Sequence, residues 1–354
     1  METQKVIISQ DLARTLAEAV AEVSHDRLFV LVDETTERLC LPVVRDMACM
    51  REARKIVIGA GDTHKTLESL SHVWAELQRM GATRHSLMVN LGGGMVTDLG
   101  GFAASTFKRG ISYINIPTTL LSMVDASVGG KTGINFGGLK NEIGVFNNAR
   151  SVILDTTFLS TLDGENLLSG YAEMLKHGLI ANEGMWAELM GFDPTTAQSP
   201  AALKKLNDML ADSVAVKQRI VTEDPTEQGL RKALNLGHTV GHAFESLAMQ
   251  RTPILHGYAV AYGLVCELYL SAVKTGFPTD RMRQTARFIN EHYGKMAITC
   301  DDYPALLELM THDKKNTAGI INFTLLGGIG DIRINQTATS KEITEALDFY
   351  RENN

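Results

Sequence analysis

His238, His242 and His256 lie within nineteen residues of one another in a chain of 354. Neutral imidazole is the commonest protein ligand of transition metals, so this clustering points first to a metal. His238 and His242 stand four apart, the spacing that puts two side chains on one face of a helix. Across the stretch EQGLRKALNLGHTVGHAFESLAMQRTPILHG (227–257), a helical period places Arg231, Asn235, His238, His242 and Glu245 on one stripe. Leu236, Val240, Ala243, Phe244 and Leu247 fall opposite. A plain solvated face would alternate Lys and Glu, whereas this one carries two imidazoles and an amide. Thr239 follows His238, so this is not the HExxH of zinc proteases. Upstream, GYAEMLKHGLI sets Glu173 three residues before Lys176 and four before His177. A carboxylate added to two imidazoles gives a metal site with room for substrate oxygens. His177, four residues after Glu173, is a rival that spacing alone does not exclude, so the ligand set stays open at this level.

A second group of residues suits a nucleotide. GGGMVTD (92–98) approximates the GxGxxG of dinucleotide-binding turns, with Thr97 in the last glycine's place. Glycines let the backbone approach a pyrophosphate, and the following helix offers its N-terminal N–H groups. The glycine-rich stretch 122–144 carries Lys131, Asn135, Lys140 and Asn141 and reads as a long loop suited to anions and hydroxyls. Its GGKT is not a Walker A loop, because position 125 is Asp.

The elements that must position these residues change character along the chain. Up to about residue 160, apolar strand patterns (KVIIS, RLFVLVD, KIVIGAG, HSLMVNLGGG, ISYINIPTT) alternate with helical ones, including Thr36–Met50 and Lys65–Met80. That alternation predicts a parallel sheet covered on both faces, with ligands at the carboxyl ends of its strands. Beyond it the pattern is nearly all helical, with Gln228–Met249 as one helix, interrupted by one hairpin, IINFTLL and IRINQT. The expectation is a Rossmann-like α/β domain over 1–160 and a mostly α-helical domain over 161–354.

Composition narrows the function. A net charge of -7 without a basic patch argues against nucleic acid. No apolar run is long enough to span a membrane. Cys40, Cys49, Cys266 and Cys300 are scattered in apolar surroundings and read as buried free thiols of a reducing compartment, hence the cytoplasm.

Over essentially its whole length the chain resembles the 3-dehydroquinate synthases, among the sugar phosphate cyclases. The matching segments are GGGMVTDLGGF, RGISYINIPTTLLSMVDASVGGKTGINF, KNEIG, GYAEMLKHGLI, EQGLRKALNLGHTVGHAFE, HGYAVAYG and HDKKN, in the family's order. The resemblance implies conversion of the phosphorylated keto acid DAHP (3-deoxy-D-arabino-heptulosonate 7-phosphate) to 3-dehydroquinate. The route is NAD-mediated oxidation, β-elimination of phosphate, reduction and intramolecular aldol closure. It implies NAD and a divalent metal, zinc or cobalt, as cofactors, and a homodimer. The metal ligands it implies are Glu173, His238 and His256, which makes His242 a substrate and proton-transfer residue. Substrate contacts carry over to Lys131, Lys140, Asn141, Lys176, Lys217, Arg231, Asn235 and Lys314, with Lys315 as the alternative to the last. Arg109 matches an arginine that reaches the neighbouring subunit's site, and Glu227 and Asp125 match supporting residues. NAD contacts carry over to Asp33, Asp62, Thr63, His64, Lys65, Gly93, Gly94, Met95, Val96, Thr97, Asp98, Thr118, Thr119, Asp125, Lys131, Lys140, Phe158, Leu159, Ser160 and Thr161. Thr97 departs from the family's usual glycine, Ala60 and Asp62 from its usual acidic pair, and Ala126 from its serine. The competing readings are a sibling cyclase and a polyol dehydrogenase of the glycerol dehydrogenase type. Keeping both Lys217 and Arg231 favours a substrate with a carboxylate.

Overall fold

The computed structural model describes residues 4–137, 139–196, 200–311 and 320–353. The chain forms two compact domains, Met1–Asp163 and Gly164–Asn354. The first contains β1 (Lys5–Ile8), α1 (Leu12–Ala21), β2 (Leu28–Asp33), α2 (Glu34–Leu39), α3 (Leu41–Val44), β3 (Arg54–Ile58) and α4 (Leu67–Arg79). It continues with β4 (Leu87–Gly92), α5 (Gly94–Thr106), β5 (Ser112–Pro117), β6 (Lys131–Phe136), β7 (Leu139–Phe146) and β8 (Ser151–Leu154). Six of the strands form one parallel sheet in the order β1-β8-β5-β4-β2-β3. β2 and β4 are buried at every position, as their uninterrupted apolar runs require when helices cover both faces. Because the strands are parallel, all their carboxyl ends share one edge. From β2 the chain crosses to β3 on one side, and β4 pairs on the other, so the winding reverses between β2 and β4. Such a reversal opens a crevice for a ligand at the strand ends.

Two local elements differ from the expectation. Thr36–Met50 is not one helix. Pro42 lies in the first turn of α3, has no N–H to continue α2, and separates it from α3. The glycine-rich stretch is not a loop: β6 and β7 pair antiparallel from Lys131 opposite Phe146 to Phe136 opposite Leu139. Gly133 and Gly144 face each other where a Cβ on either would overlap the opposite backbone. Their glycine serves close strand approach, a use that composition cannot distinguish from flexibility.

The second domain contains α6 (Gly164–Ala181), α7 (Glu183–Met190), α8 (Pro200–Glu223), α9 (His238–Met249), α10 (His256–Thr275), α11 (Thr279–Tyr293) and α12 (Tyr303–Thr311). The antiparallel hairpin β9 (Asn322–Gly328) and β10 (Asp331–Thr337) and a last helix, α13 (Ser340–Glu352), complete it. α10 is the central element, buried along most of its length and packed by α6, α9, α11, α13 and β9. The expected single helix over 228–249 is broken. A 3-10 turn spans Leu230–Asn235, Gly237 is left-handed at φ 79°, and α9 begins at His238. The break is held from outside the segment. Buried Glu267 of α10 accepts the Gly237 N–H at 2.6 Å and the Val240 N–H at 3.0 Å, satisfying two of the donors that a helix start leaves open.

The cysteines are free but not uniformly buried. Cys40 and Cys266 are interior, Cys49 is half-buried, and Cys300 is exposed at the start of a surface 3-10 turn. Among the described residues no helix is long and apolar enough to cross a membrane.

Candidate metal centre and cofactor edge

Three elements of the second domain converge on one point. Gly257, in the first turn of α10, lies directly against α6: a Cβ there would overlap the Ser169 carbonyl, and its N–H donates to Ser169 Oγ at 3.1 Å. One helical turn after Ser169, on the same face, is Glu173. His256 is the first residue of α10 and His238 the first of α9, so both imidazoles stand at helix starts facing that carboxylate. Glu173 is fully buried. Its Oε1 lies 3.3 Å from His238 Nε2 and 3.6 Å from His256 Nε2, and neither of its oxygens finds a donor at hydrogen-bond geometry. The ligand atoms of the three residues all lie within 4.8 Å of one another. Ligands about 2.1 Å from a tetrahedral ion stand roughly 3.4 Å apart. A buried carboxylate oxygen without a hydrogen bond, faced by two imidazole nitrogens at that spacing, fits a divalent metal.

The outer contacts support the same tautomers. His238 Nδ1 faces the Leu236 carbonyl at 3.0 Å, and His256 Nδ1 faces Glu245 Oε2 at 3.4 Å. With a metal bound, each Nδ1 would keep its proton and each Nε2 would give its lone pair to the ion. Burial depresses the His238 pKa to about 4, against the opposing pull of Glu173. His256 behaves oppositely: burial lowers it, but the charges of Glu245 and Glu173 prevail and raise it to about 10. Burial would raise the Glu173 pKa, yet Lys176 and His238 hold it well below the usual carboxylate range. Lys176, itself buried, forms an ion pair with Glu173 Oε2.

The other residues singled out in this domain divide. His242 sits beside the triad, its ring centroid 5.4 Å from that of His238, and shares a second group with Glu245 and His256. His177 faces Ser213 Oγ through Nδ1 at 2.7 Å. Lys217 and Arg231 are buried cations. Arg231 donates to the Pro225 carbonyl at 2.7 Å, and Asn235 donates to Glu227 Oε1 at 2.8 Å from the 3-10 turn ahead of α9. Lys314 and Lys315 lie outside the described residues.

Sequence reasoning missed two carboxylates. Glu267 is one. Asp224 is the other: it accepts the backbone N–H groups of Gln228 (2.9 Å), Gly229 (2.7 Å) and Arg231 (3.0 Å), closing the turn that carries Arg231. An Asp just before Pro225 is a turn signal that could have found it.

In the first domain the residues expected to meet NAD stand at strand ends. Asp33 closes β2 and caps α2, its Oδ1 accepting the Thr36 N–H at 2.7 Å. Gly93 precedes α5, whose N-terminus has no side-chain cap, so its N–H donors suit an anion. Met95 and Asp98 are half-buried there, while Val96 and Thr97 point into the core. Thr97 hydrogen-bonds the Gly94 carbonyl of its own helix at 3.1 Å. Close helix-to-sheet packing comes one turn later, at Gly100, where a Cβ would overlap Asn90 and Leu31. Thr118 and Thr119 follow β5, and Asp62, Thr63 and His64 form an exposed turn after β3. Phe158 and Leu159 are core, leaving Ser160 and Thr161 as the polar side chains of that four-residue segment after β8.

The β6–β7 hairpin is tied to this edge. Buried Lys65 reaches Asp98 Oδ2 at 2.5 Å and also bonds the Asn141 side chain, while Lys140 pairs with Asp62 at 3.2 Å. Lys131 opens β6 on its exposed side, and half-buried Asp125 lies in the turn Ser122–Ala126. Arg109 is exposed in a left-handed conformation, φ 70°.

Family models match in two consecutive stretches, 3-dehydroquinate synthase N-terminal over residues 55–169 and 3-dehydroquinate synthase C-terminal over 170–316. The chain is 54% identical over 353 residues to a 3-dehydroquinate synthase of Parabacteroides distasonis, covering 99% of each. It is 38% identical over 342 residues to one of Pyrococcus furiosus, covering 97% of this chain and 98% of that one. Its structure resembles that of a 2-epi-5-epi-valiolone synthase from Streptomyces hygroscopicus subsp. jinggangensis 5008 with NAD+ and Zn2+ bound. The TM-score is 0.87 at 26% identity, covering 100% of this chain and 98% of that one. A 2-deoxy-scyllo-inosose synthase shares the fold, with a TM-score of 0.82 at 23% identity over 98% of this chain and 96% of that one.

Proposed function

The chain belongs to the 3-dehydroquinate synthase family, and from that premise we propose how its residues share out the reaction. It is a lyase that converts DAHP to 3-dehydroquinate and phosphate in the shikimate pathway, with NAD and a divalent metal, zinc or cobalt, as cofactors. The observation that carries the assignment of residues is the buried Glu173 oxygen facing two imidazole nitrogens at 3.3 and 3.6 Å.

Glu173, His238 and His256 hold the metal. When bound, NAD supplies a reversible hydride acceptor, and the metal supplies positive charge beside the hydroxyl that is oxidised. The chain does the rest. A single carboxylate ligand leaves a divalent site with net positive charge, suited to a developing alkoxide. Lys217 and Arg231 hold the substrate carboxylate, which the planar fork of Arg can meet with two hydrogen bonds. Asn235 and His242 orient the substrate beside the triad, and His242 is placed to exchange a proton with a substrate hydroxyl. Lys176, Lys131, Asn141 and Lys314 contribute further cationic and amide contacts, and Glu227 fixes Asn235. The carboxyl ends of β2, β3, β4, β5 and β8 hold NAD, with Lys140 and Asp125 beside them. The uncapped start of α5 faces the pyrophosphate.

A homodimer completes the proposal. The hairpin exposes Phe136, Leu139, Ile143, Val145 and Phe146 in one place, an apolar surface that a second copy could cover, with Arg109 reaching the neighbouring site. The free cysteines suit the cytoplasm.

The test is to follow phosphate release and NADH absorbance together in one mixture of protein, zinc, NAD and DAHP. Phosphate released over many turnovers without NADH build-up is the expected result. NADH accumulating in step with product would mean a dehydrogenase, and the roles given to Lys217 and Arg231 would fall.

A further inference from the structure

We infer that Glu245 is a positioning residue for the metal centre: it fixes the ring and the proton of His256 so that Nε2 is delivered as a ligand. The inference rests on reading His256 as a metal ligand. Glu245 is buried, and its Oε2 lies 3.4 Å from His256 Nδ1, on the side of the ring away from Glu173. A neutral imidazole has one N–H. With a carboxylate on the Nδ1 side, the proton stays there and Nε2 keeps the lone pair.

The two imidazoles are not held alike. His238 Nδ1 meets a backbone carbonyl, a neutral acceptor, whereas His256 Nδ1 meets a charged one. An anionic acceptor makes the ring a stronger electron donor, so His256 is the ligand whose strength this chain tunes through a side chain. Glu245 also stands seven residues after His238 on α9, two turns along the same face. One helix thus supplies a ligand of its own and the orienting partner of the ligand on α10, which fixes the register between the two. The stripe His238, His242, Glu245 acquires a role at its far end that metal spacing alone did not give it.

The rival role is geometric too. His242, Glu245 and His256 bring their own ligand atoms within 4.8 Å of one another, so Glu245 could ligate a second ion. That arrangement would require His256 to give up both nitrogens.

The test uses the full chain, stripped with a chelator and reloaded with Co(II). The readouts are the visible ligand-field spectrum, the stoichiometry and the affinity against a chromophoric chelator, for wild type, Glu245→Gln and His256→Ala. Glu245→Gln keeps the shape and removes the charge. It should bind one ion about 10- to 100-fold more weakly, with a shifted spectrum, at an unchanged melting temperature and unchanged NAD affinity. If it fails to fold, Glu245→Asp, which retains the charge on a shorter side chain, carries the same measurement and should bind the ion more weakly than wild type and more tightly than His256→Ala. Wild-type affinity and spectrum in Glu245→Gln would overturn the inference. So would two ions bound to wild type and one to Glu245→Gln, which would make Glu245 a ligand. Metal retained by His256→Ala would remove the ligand assignment itself, and the inference with it.

Discussion

The proposed metal centre of the second domain is built from side chains at helix starts, His238 opening α9 and His256 opening α10 around a fully buried Glu173. The proposed cofactor edge of the first domain is built from strand ends, where glycines and the uncapped start of α5 present backbone N–H groups. In the first region function resides in particular atoms: burial lowers the pKa of both imidazoles, and the charges of Glu245 and Glu173 reverse the shift at His256 alone. In the second it resides in the room left for a ligand. Substitutions should therefore be severe and specific in one region, and graded and steric in the other.

The largest effect should come from breaking the triad. Stripping the metal from wild type, or changing Glu173 to Ala, should lower turnover by on the order of a thousand-fold, since such an ion supplies several kcal/mol of charge stabilisation. Zinc added back should restore the stripped wild type and not the variant.

Next comes Arg231→Ala. Hydrogen bonds to charged groups contribute about 1.5–3 kcal/mol, so kcat/KM for DAHP should fall roughly ten- to hundredfold while bound metal is unchanged. Steady-state kinetics beside metal analysis would check it.

The pH dependence sharpens the contrast between the imidazoles. In the metal-free site His256 is raised to about 10 and holds a proton at neutral pH, whereas His238, lowered to about 4, is already neutral. A metal needs both neutral, so binding should expel about one proton and tighten by about tenfold per pH unit up to the raised pKa. Titrations at several pH values would read that slope, and a flat profile would contradict it.

The smallest effect belongs to the other region. Gly100→Ala places a methyl against Asn90 and Leu31 and should destabilise the first domain by about 1–3 kcal/mol, lowering the melting temperature and leaving bound metal intact.

The same contrast governs how much the sequence disclosed. The strands of the sheet were legible because buried parallel strands are continuous apolar runs, and most helices because their faces repeat. The triad was not legible from spacing, which paired His238 with His242 and could not exclude His177 as a rival to Glu173. The resemblance singled out His256, and the geometry brings His256 to Glu173 through the Gly257 contact with Ser169. The break before His238 was invisible locally, because its cap, Glu267, comes from another helix thirty residues later. Gly133 and Gly144 looked like loop residues because close strand approach and flexibility call for the same amino acid.

The central claim is that Glu173, His238 and His256, and not His242, hold the metal. Bound zinc per chain, measured after dialysis for the Ala variant of each of the four, tests it most directly. The first three variants should lose the ion and His242→Ala should keep it. Zinc lost from His242→Ala, or retained by any of the other three, would contradict it.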